Sequence, residues 1–335
     1  MTTETQPKKQ HWAHRFSNWY SPMIAALLIM FVIDYSVRGL FDYKLARIWT
    51  MVIYLGLYFV IAGWLNTIRV PKAERQPHPA ESWPTSGPIR HVSRYVMLLT
   101  FYPTLLLSSL NPWQLIQQFK QLGGQARIAK RMKGREEEIA KYQTKVSYRL
   151  PFEGEWLVFN GGLTQATSHS WDVLTQRYAY DFVQADAEYR RHNHSGARLN
   201  HYFCYNQPIL AAADGEVVAI VDNIGPAPFV GFGVIDFLCR HFAGNHVIIK
   251  HAEGEYGFYA HLVKGTIPVK VGDHVQQGQR IGNCGHTGHS TEPHLHFHLQ
   301  DGPDLFSAMG LPIRFEHVGE ITRGQRVKVT VCSES

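Results

Sequence analysis

At 335 residues the chain has room for two or three domains. Its net charge of +6 is split unevenly: residues 1–150 hold 20 basic against 8 acidic groups, a net of +12, and residues 151–335 hold 13 against 19, a net of −6. Long apolar runs share the basic half, so its charge fits a membrane surface and argues against nucleic acid. The four cysteines contain no CxxC pair and form neither a disulfide framework nor a Cys-rich zinc site.

Residues 1–118 read as a membrane region. Trp19 to Val37 is apolar except for Asp34 near its end, with Trp19, Tyr20 and Tyr35 as interfacial aromatics. No small-residue cleavage site follows it, which points to an uncleaved anchor. Ile48 to Ile68 is 21 residues without a charge, and the ten residues between the two runs make a helical hairpin. Tyr95 to Leu110 is shorter, at 16 residues, and contains Pro103. It reads as a third span extending to residue 113, a re-entrant segment or an interfacial helix. With the N-terminus in the cytoplasm, three spans (about 19–37, 48–68 and 95–113) place the rest of the chain outside, whereas two place it inside. The positive charges of the loops favour the two-span pattern.

Residues 119–147 form a basic linker of helix or coil, with Gly123-Gly124 as a break. The cluster Arg127, Lys130, Arg131, Lys133 and Arg135 reads as a solvated face or as a contact for lipid headgroups or anionic envelope polymers. From residue 148 to 331 short runs separated by turn signals indicate an all-β domain. Strands are expected at Tyr178–Val183, Glu216–Val221, His246–His251, Phe258–Leu262, Ile267–Val271 and His294–Leu299.

The last of these alternates imidazoles with apolar groups. On a strand, His294, His296 and His298 share one face while Leu295, Phe297 and Leu299 enter a core. Neutral imidazole is the commonest metal ligand, so this face reads as one rim of a metal site. A catalytic zinc needs further ligands and an open position. His169, at the edge of a Gly/Thr/Ser-rich loop, and either Asp181 or Asp172 are the candidates, and His261 lies at a strand end. His298 reads as a neighbour of the site or a surface group. His286 and His289 read as solvated loop histidines or groove lining, His251 as structural, and His192, His194 and His201 as surface groups.

The motifs Gly244-Asn245-His246-Val247-Ile248-Ile249-Lys250-His251, Tyr259-Ala260-His261-Leu262, Val271-Gly272-Asp273-His274-Val275, Gly278-Gln279-Arg280-Ile281-Gly282 and Pro293-His294-Leu295-His296-Phe297 occur in an order that resembles the lysostaphin-type zinc metalloendopeptidases, peptidase family M23. The resemblance covers about residues 150–320. It implies a lysostaphin-like fold of the duplicated-hybrid-motif type: an open antiparallel sheet with a groove, one zinc per chain, and peptide-bond hydrolysis. By matching positions it implies His169, Asp181 and His296 as metal ligands, with His261 and His294 flanking the metal-bound water as acid/base and oxyanion groups. The family often places its first His and Asp four residues apart, and here they are twelve apart. A subgroup signature resembling Gln176–Phe182 favours Asp181 over Asp172.

The expected protein is therefore a multi-pass α-helical membrane anchor followed by an all-β zinc peptidase domain, in a bacterial cell membrane with the domain outside. Its expected partners are the lipid bilayer and a peptide substrate, with peptidoglycan stems or cross-bridges foremost. The alternatives are a non-catalytic envelope-binding module and a peptidase of other membrane or secreted peptides.

Overall fold

The computed structural model describes residues 21–58 apart from 48, 52 and 55, residue 61, residues 78–88 apart from 85, and residues 100–329 apart from 102 and 106. The chain divides into two compact units, residues 1–76 and 77–335.

In the first unit, helix α1 (Ser21–Phe41) is apolar on all sides. Leu28, Phe31 and Val32 are each at least 60% exposed, a surface that water does not tolerate over five turns. Among the described residues, Pro22–Phe41 is the one helix long and apolar enough to cross a membrane, with a mean hydropathy of 1.9. The sequence suggests two or three such spans. The second run is helical over Trp49–Tyr58, and its residues 62–68 lie outside the described residues, as do 95–99 of the third.

The second unit is built on one antiparallel sheet. Its strands are β1 (Gly154–Asn160), β2 (Tyr180–Val183), β4 (Gly215–Val221), β5 (Asn245–Ala252), β6 (Glu255–Leu262), β7 (His274–Val275), β9 (Leu295–Gln300), β10 (Gly310–Leu311) and β11 (Arg326–Val329). They run in the order β11-β1-β2-β9-β6-β5-β4-β7, with β10 beside β9. A two-stranded sheet pairs β3 (Pro208–Leu210) with β8 (Arg280–Asn283). Side-chain alternation sends Leu295, Phe297 and Leu299 into the main core with Tyr180, Phe182 and Tyr259. Each such burial is worth roughly 1.5–3 kcal/mol.

The expected strand at Ile267–Val271 does not form. That segment has no ladder partner, and the pairing with β4 is made by β7 instead. Pro268, which lacks a donor, suits an unpaired segment.

Helix α2 (Pro112–Met132) is capped by Asn111, whose side-chain oxygen accepts the Trp113 N–H at 3.0 Å, and starts with Pro at its first position. It runs through Gly123-Gly124 without a break. A Cβ on Gly124 would lie 1.5 Å from the carbonyl oxygen of Phe306, so glycine here allows close approach to the β domain. α2 is also not a solvated connector, because Gln114, Gln117, Gln125, Ile128 and Met132 are buried against that domain. After α3 (Glu136–Ala140), the chain is tied down by Glu255, fully buried, which accepts from Tyr142 Oη, Lys145 N–H and Tyr148 Oη at 2.6–2.8 Å.

Candidate metal centre and groove

The register of the sheet makes the site. Asp181 on β2 is paired directly with His296 on β9, and Asn160 on β1 is paired with Asp181 on its other side. Cross-strand partners point to the same face, so these three side chains stand in one row. His294 and His298 flank His296 on that face by simple alternation.

His261 reaches the same face by a different route. Ala260 is the residue paired with His296, so regular alternation would turn His261 toward the core. A φ of +63° at His261 interrupts the alternation and brings its ring to 4.7 Å from that of His294. Left-handed backbone at a non-glycine residue costs roughly 1–3 kcal/mol, a strain that structures keep where a side chain must be aimed.

His169 comes from the loop between β1 and β2. Ser168 Oγ donates to Arg177 O and Ser170 Oγ to Gln176 O, and the Arg177 guanidinium lies 4.6 Å from the Trp171 ring. These contacts fold the eleven intervening residues back on themselves, so that His169 and Asp181 meet despite their separation in sequence. His169 Nε2 is 3.3 Å from Asp181 Oδ2, and His296 Nδ1 is 2.9 Å from Asp181 Oδ1. The ligand atoms of His169, Asp181 and His296 all lie within 4.8 Å of one another, a group that can hold a metal ion. Asp172 is outside it, exposed, with its backbone carbonyl bonded to Gln125.

Burial opposes charge on Asp181, but the neighbouring His169, His296 and His294 outweigh it and hold its carboxyl well below the usual range. Asp181 is therefore an anion at neutral pH, as a ligand must be. Its second oxygen is also held, since Asn160 Nδ2 donates to Oδ2 at 2.8 Å and His78 Nε2 lies 3.1 Å from Asn160 Oδ1. Neither Asn160 nor His78 stands out in the sequence. The row of partners along the sheet finds the first, and the packing of residues 78–88 on the domain finds the second, with Trp83 stacked on Tyr189.

The two remaining histidines share one arrangement. His261 Nδ1 is 2.7 Å from Thr287 O, and His294 Nδ1 is 2.8 Å from Glu292 O. A carbonyl only accepts, so each Nδ1 carries a proton, and in the neutral ring Nε2 is the atom with the lone pair. His294 Nε2 is 3.8 Å from Asp181 Oδ1. Burial, reinforced by His294 and His296, holds His261 well below its ordinary value and keeps it neutral.

These groups line a cavity of about 530 Å³ together with Phe101, Gln121, Phe242 and His289. His286 and His289 are not solvated. His286 is 1% exposed, bonded through Nδ1 to Ser290 Oγ, and His289 Nε2 lies 2.8 Å from Gln114 Oε1 on α2. His192 is buried as well, where it accepts the Gly87 N–H.

The sequence model of peptidase family M23 matches residues 192–306. His261, His294 and His296 fall inside that stretch, and His169 and Asp181 precede it. Peptidoglycan DD-endopeptidase ShyC of Vibrio cholerae is 46% identical over 149 residues, 44% of this chain and 33% of that protein. Peptidoglycan DD-endopeptidase ShyA of the same organism is 47% identical over 70 residues, 21% of this chain and 16% of that protein. Lysostaphin of Staphylococcus staphylolyticus is 38% identical over 116 residues, 32% of this chain and 24% of that protein. The chain thus spans a third or less of the length of these curated relatives. Over the stretch that carries His261, His294 and His296, it is similar to the peptidases of family M23.

Proposed function

We propose that this chain is a membrane-anchored zinc metalloendopeptidase that hydrolyses peptide bonds in peptidoglycan stems or cross-bridges. The observation that carries the reading is the meeting of His169, Asp181 and His296 at one wall of a groove with His261 and His294 beside them. Two imidazoles and a carboxylate, with room for a further ligand, are a donor set of the catalytic zinc type. The names of the relatives support peptidoglycan as the substrate.

His169 Nε2, an Asp181 oxygen and His296 Nδ1 would hold the metal. Zinc bound there lowers the pKa of a water ligand to about 7 and polarises a carbonyl. The protein supplies the proton transfers. His261 and His294 offer Nε2 atoms, one to take the proton from the attacking water and return it to the leaving amine, the other, carrying a proton taken from solvent, to face the oxyanion. Positioned acid/base groups of this kind contribute roughly 10²–10⁴ in rate. The apolar runs 19–37 and 48–68 cross the bilayer as a hairpin, so the N-terminus and the peptidase domain share one side, the envelope side, where peptidoglycan is.

The test is digestion of purified sacculi by the full chain in nanodiscs, with soluble fragments identified by mass spectrometry. Cleavage of a peptide bond is expected, abolished by a chelator and by His294→Ala. Intact sacculi and intact stem peptides with metal-loaded protein would sink the reading. A reporter fused after Ser335 is expected to be active only outside the cytoplasm.

A further inference from the structure

The first half of helix α2 is turned inside out. Gln114, Gln117, Gln121 and Gln125 repeat at intervals of three and four and so share one face. That polar face is the one pressed on the β domain. Gln114 Nε2 donates to Asp236 O and Cys239 O, and Gln117 bonds Arg240 O and the Phe242 N–H. Gln121 Nε2 donates to Thr175 Oγ1, and Gln125 bonds Asp172 O and the Leu174 N–H. Each amide replaces a bond to water with one to the domain, so the helix is fixed by polar contacts.

In the first half of the helix the apolar residues point away, while Ile128 and Met132 near its end are buried on the domain. Ile116 and Phe119 lie opposite the glutamines and are 52% and 64% exposed, and Trp113 beside them is 55% exposed. Leu110, just before the cap, is 64% exposed, Leu107 is 41% exposed, and Leu238 is 70% exposed. Leu238 adjoins the start of α2, because Asn111 Nδ2 donates to the carbonyls on either side of it, Phe237 O and Cys239 O. A helix of a water-soluble surface does the reverse, and a contiguous patch of large apolar side chains marks a contact surface.

Charge identifies the occupant. From residue 82 to 135 there is not one Asp or Glu, while Lys120, Arg127 and Lys130 are exposed along α2. Aromatic and leucine side chains rimmed by cations, with the one carboxyl beside Leu238, that of Asp236, buried, are the composition of helices that lie in the headgroup layer of an anionic bilayer. The third apolar run continues this surface. Thr100 Oγ1 donates to Phe232 O, Thr104 Oγ1 accepts from Ile235 N–H at 3.4 Å, and Asn111 makes the contacts above, so the described residues of 100–111, helical up to Ser108, lie along the domain. A segment held this way cannot also cross the hydrocarbon core.

We propose that Leu107, Leu110, Trp113, Ile116, Phe119 and Leu238 form a lipid-contact face by which the peptidase domain rests on an anionic bilayer. This rests on the reading that the chain is a membrane protein. α2 and the segment before it are also a wall of the groove, since Gln121 and Phe101 line it. The face therefore fixes how far from the lipid surface the metal centre is held, and the substrate it reaches is the material nearest the membrane.

A nitroxide at Phe119→Cys tests the proposal in the full chain carrying Cys332→Ser, the other three cysteines being buried. In vesicles containing phosphatidylglycerol, the label is expected to collide with oxygen several-fold more than with a water-soluble nickel chelate. A label at Glu137→Cys, on exposed α3, is expected to favour the chelate. Combining Lys120→Glu, Arg127→Glu and Lys130→Glu should return the label at residue 119 to water. Chelate access at residue 119 in these vesicles overturns the lipid face and leaves a protein partner or a second copy as its occupant. Equal burial in phosphatidylcholine vesicles overturns the anionic preference. Carbonate extraction of the same samples separately tests the anchor: release of the chain sinks the spanning helices, while the label still decides the face.

Discussion

Nδ1 of His298 lies 3.1 Å from Nε2 of His296, and this contact decides which nitrogen of His296 faces Asp181. His298 Nε2 is 2.9 Å from Gln300 Oε1, and Gln300 Nε2 donates to Gly302 O. Read back from that carbonyl, each donor is fixed: Gln300 gives its N–H to Gly302, His298 gives Nε2–H to Gln300, and His296 gives Nε2–H to His298. His296 Nδ1 is left unprotonated, 2.9 Å from the carboxylate. Burial pushes His298 down to about 3, so it is the neutral acceptor that the chain of bonds requires.

Replacing His298 with Phe keeps the packing against Phe258, whose ring is stacked at 4.9 Å, but removes the acceptor. Partners that orient a metal ligand are typically worth 10–100-fold in metal affinity. A loss of about that size is expected in competition with a chromophoric chelator, with partial recovery in His298→Gln. Unchanged affinity in His298→Phe would remove the orienting role.

The two aspartates near His169 separate cleanly. Asp181→Ala is expected to strip the protein of zinc, as read by elemental analysis after gel filtration, because Asp181 stands between both histidines. Asp172→Ala is expected to retain it. Asn160→Ala should weaken retention by less than Asp181→Ala, since it frees one carboxylate oxygen without removing a ligand. Metal loss on Asp172→Ala would reverse the assignment.

Adjacent glycines in α2 should respond in opposite directions. Nothing lies within 4 Å of a Cβ on Gly123, so Gly123→Ala should stabilise by up to about 1 kcal/mol through helix propensity. Gly124→Ala would drive a methyl into the Phe306 carbonyl and should cost roughly 1–3 kcal/mol or more, with α2 displaced. Chemical unfolding of the two variants, with amide exchange across residues 112–132, reads both effects. Equal shifts would contradict the close docking.

Acid should destabilise the β domain. Burial pushes His246 and His286 down to about 3, from an ordinary value of 6.5. Between these limits the unfolded chain binds protons that the folded chain refuses. The stability they contribute is complete above about pH 6.5 and is lost as pH falls toward 3, by at most about 1.4 kcal/mol per pH unit for each histidine. Tm is expected to fall between pH 7 and 5, less steeply in His246→Gln. A flat profile would mean that these imidazoles charge in place.

The His-x-His-x-His face was legible in the sequence because strand alternation is a local rule, and the turn-bounded runs around it announced the β domain. The apolar character of residues 22–41 was equally plain, since span length and hydropathy need no neighbours. What stayed hidden depends on geometry that local pattern does not fix. Asn160 enters the site only through the register of β1 on β2. His261 enters only because a left-handed φ overrides the alternation that would have turned it inward. His298 changes from a bystander to the partner of His296 once Gln300 fixes the direction of the hydrogen bonds. Gly123-Gly124 read as a break because propensity is local, while the close approach to Phe306 that uses Gly124 is not. Composition and periodicity thus determined which residues could do chemistry, and tertiary packing decided which of them meet, because register, backbone strain and helix docking are set by the packed fold and not by the neighbouring sequence.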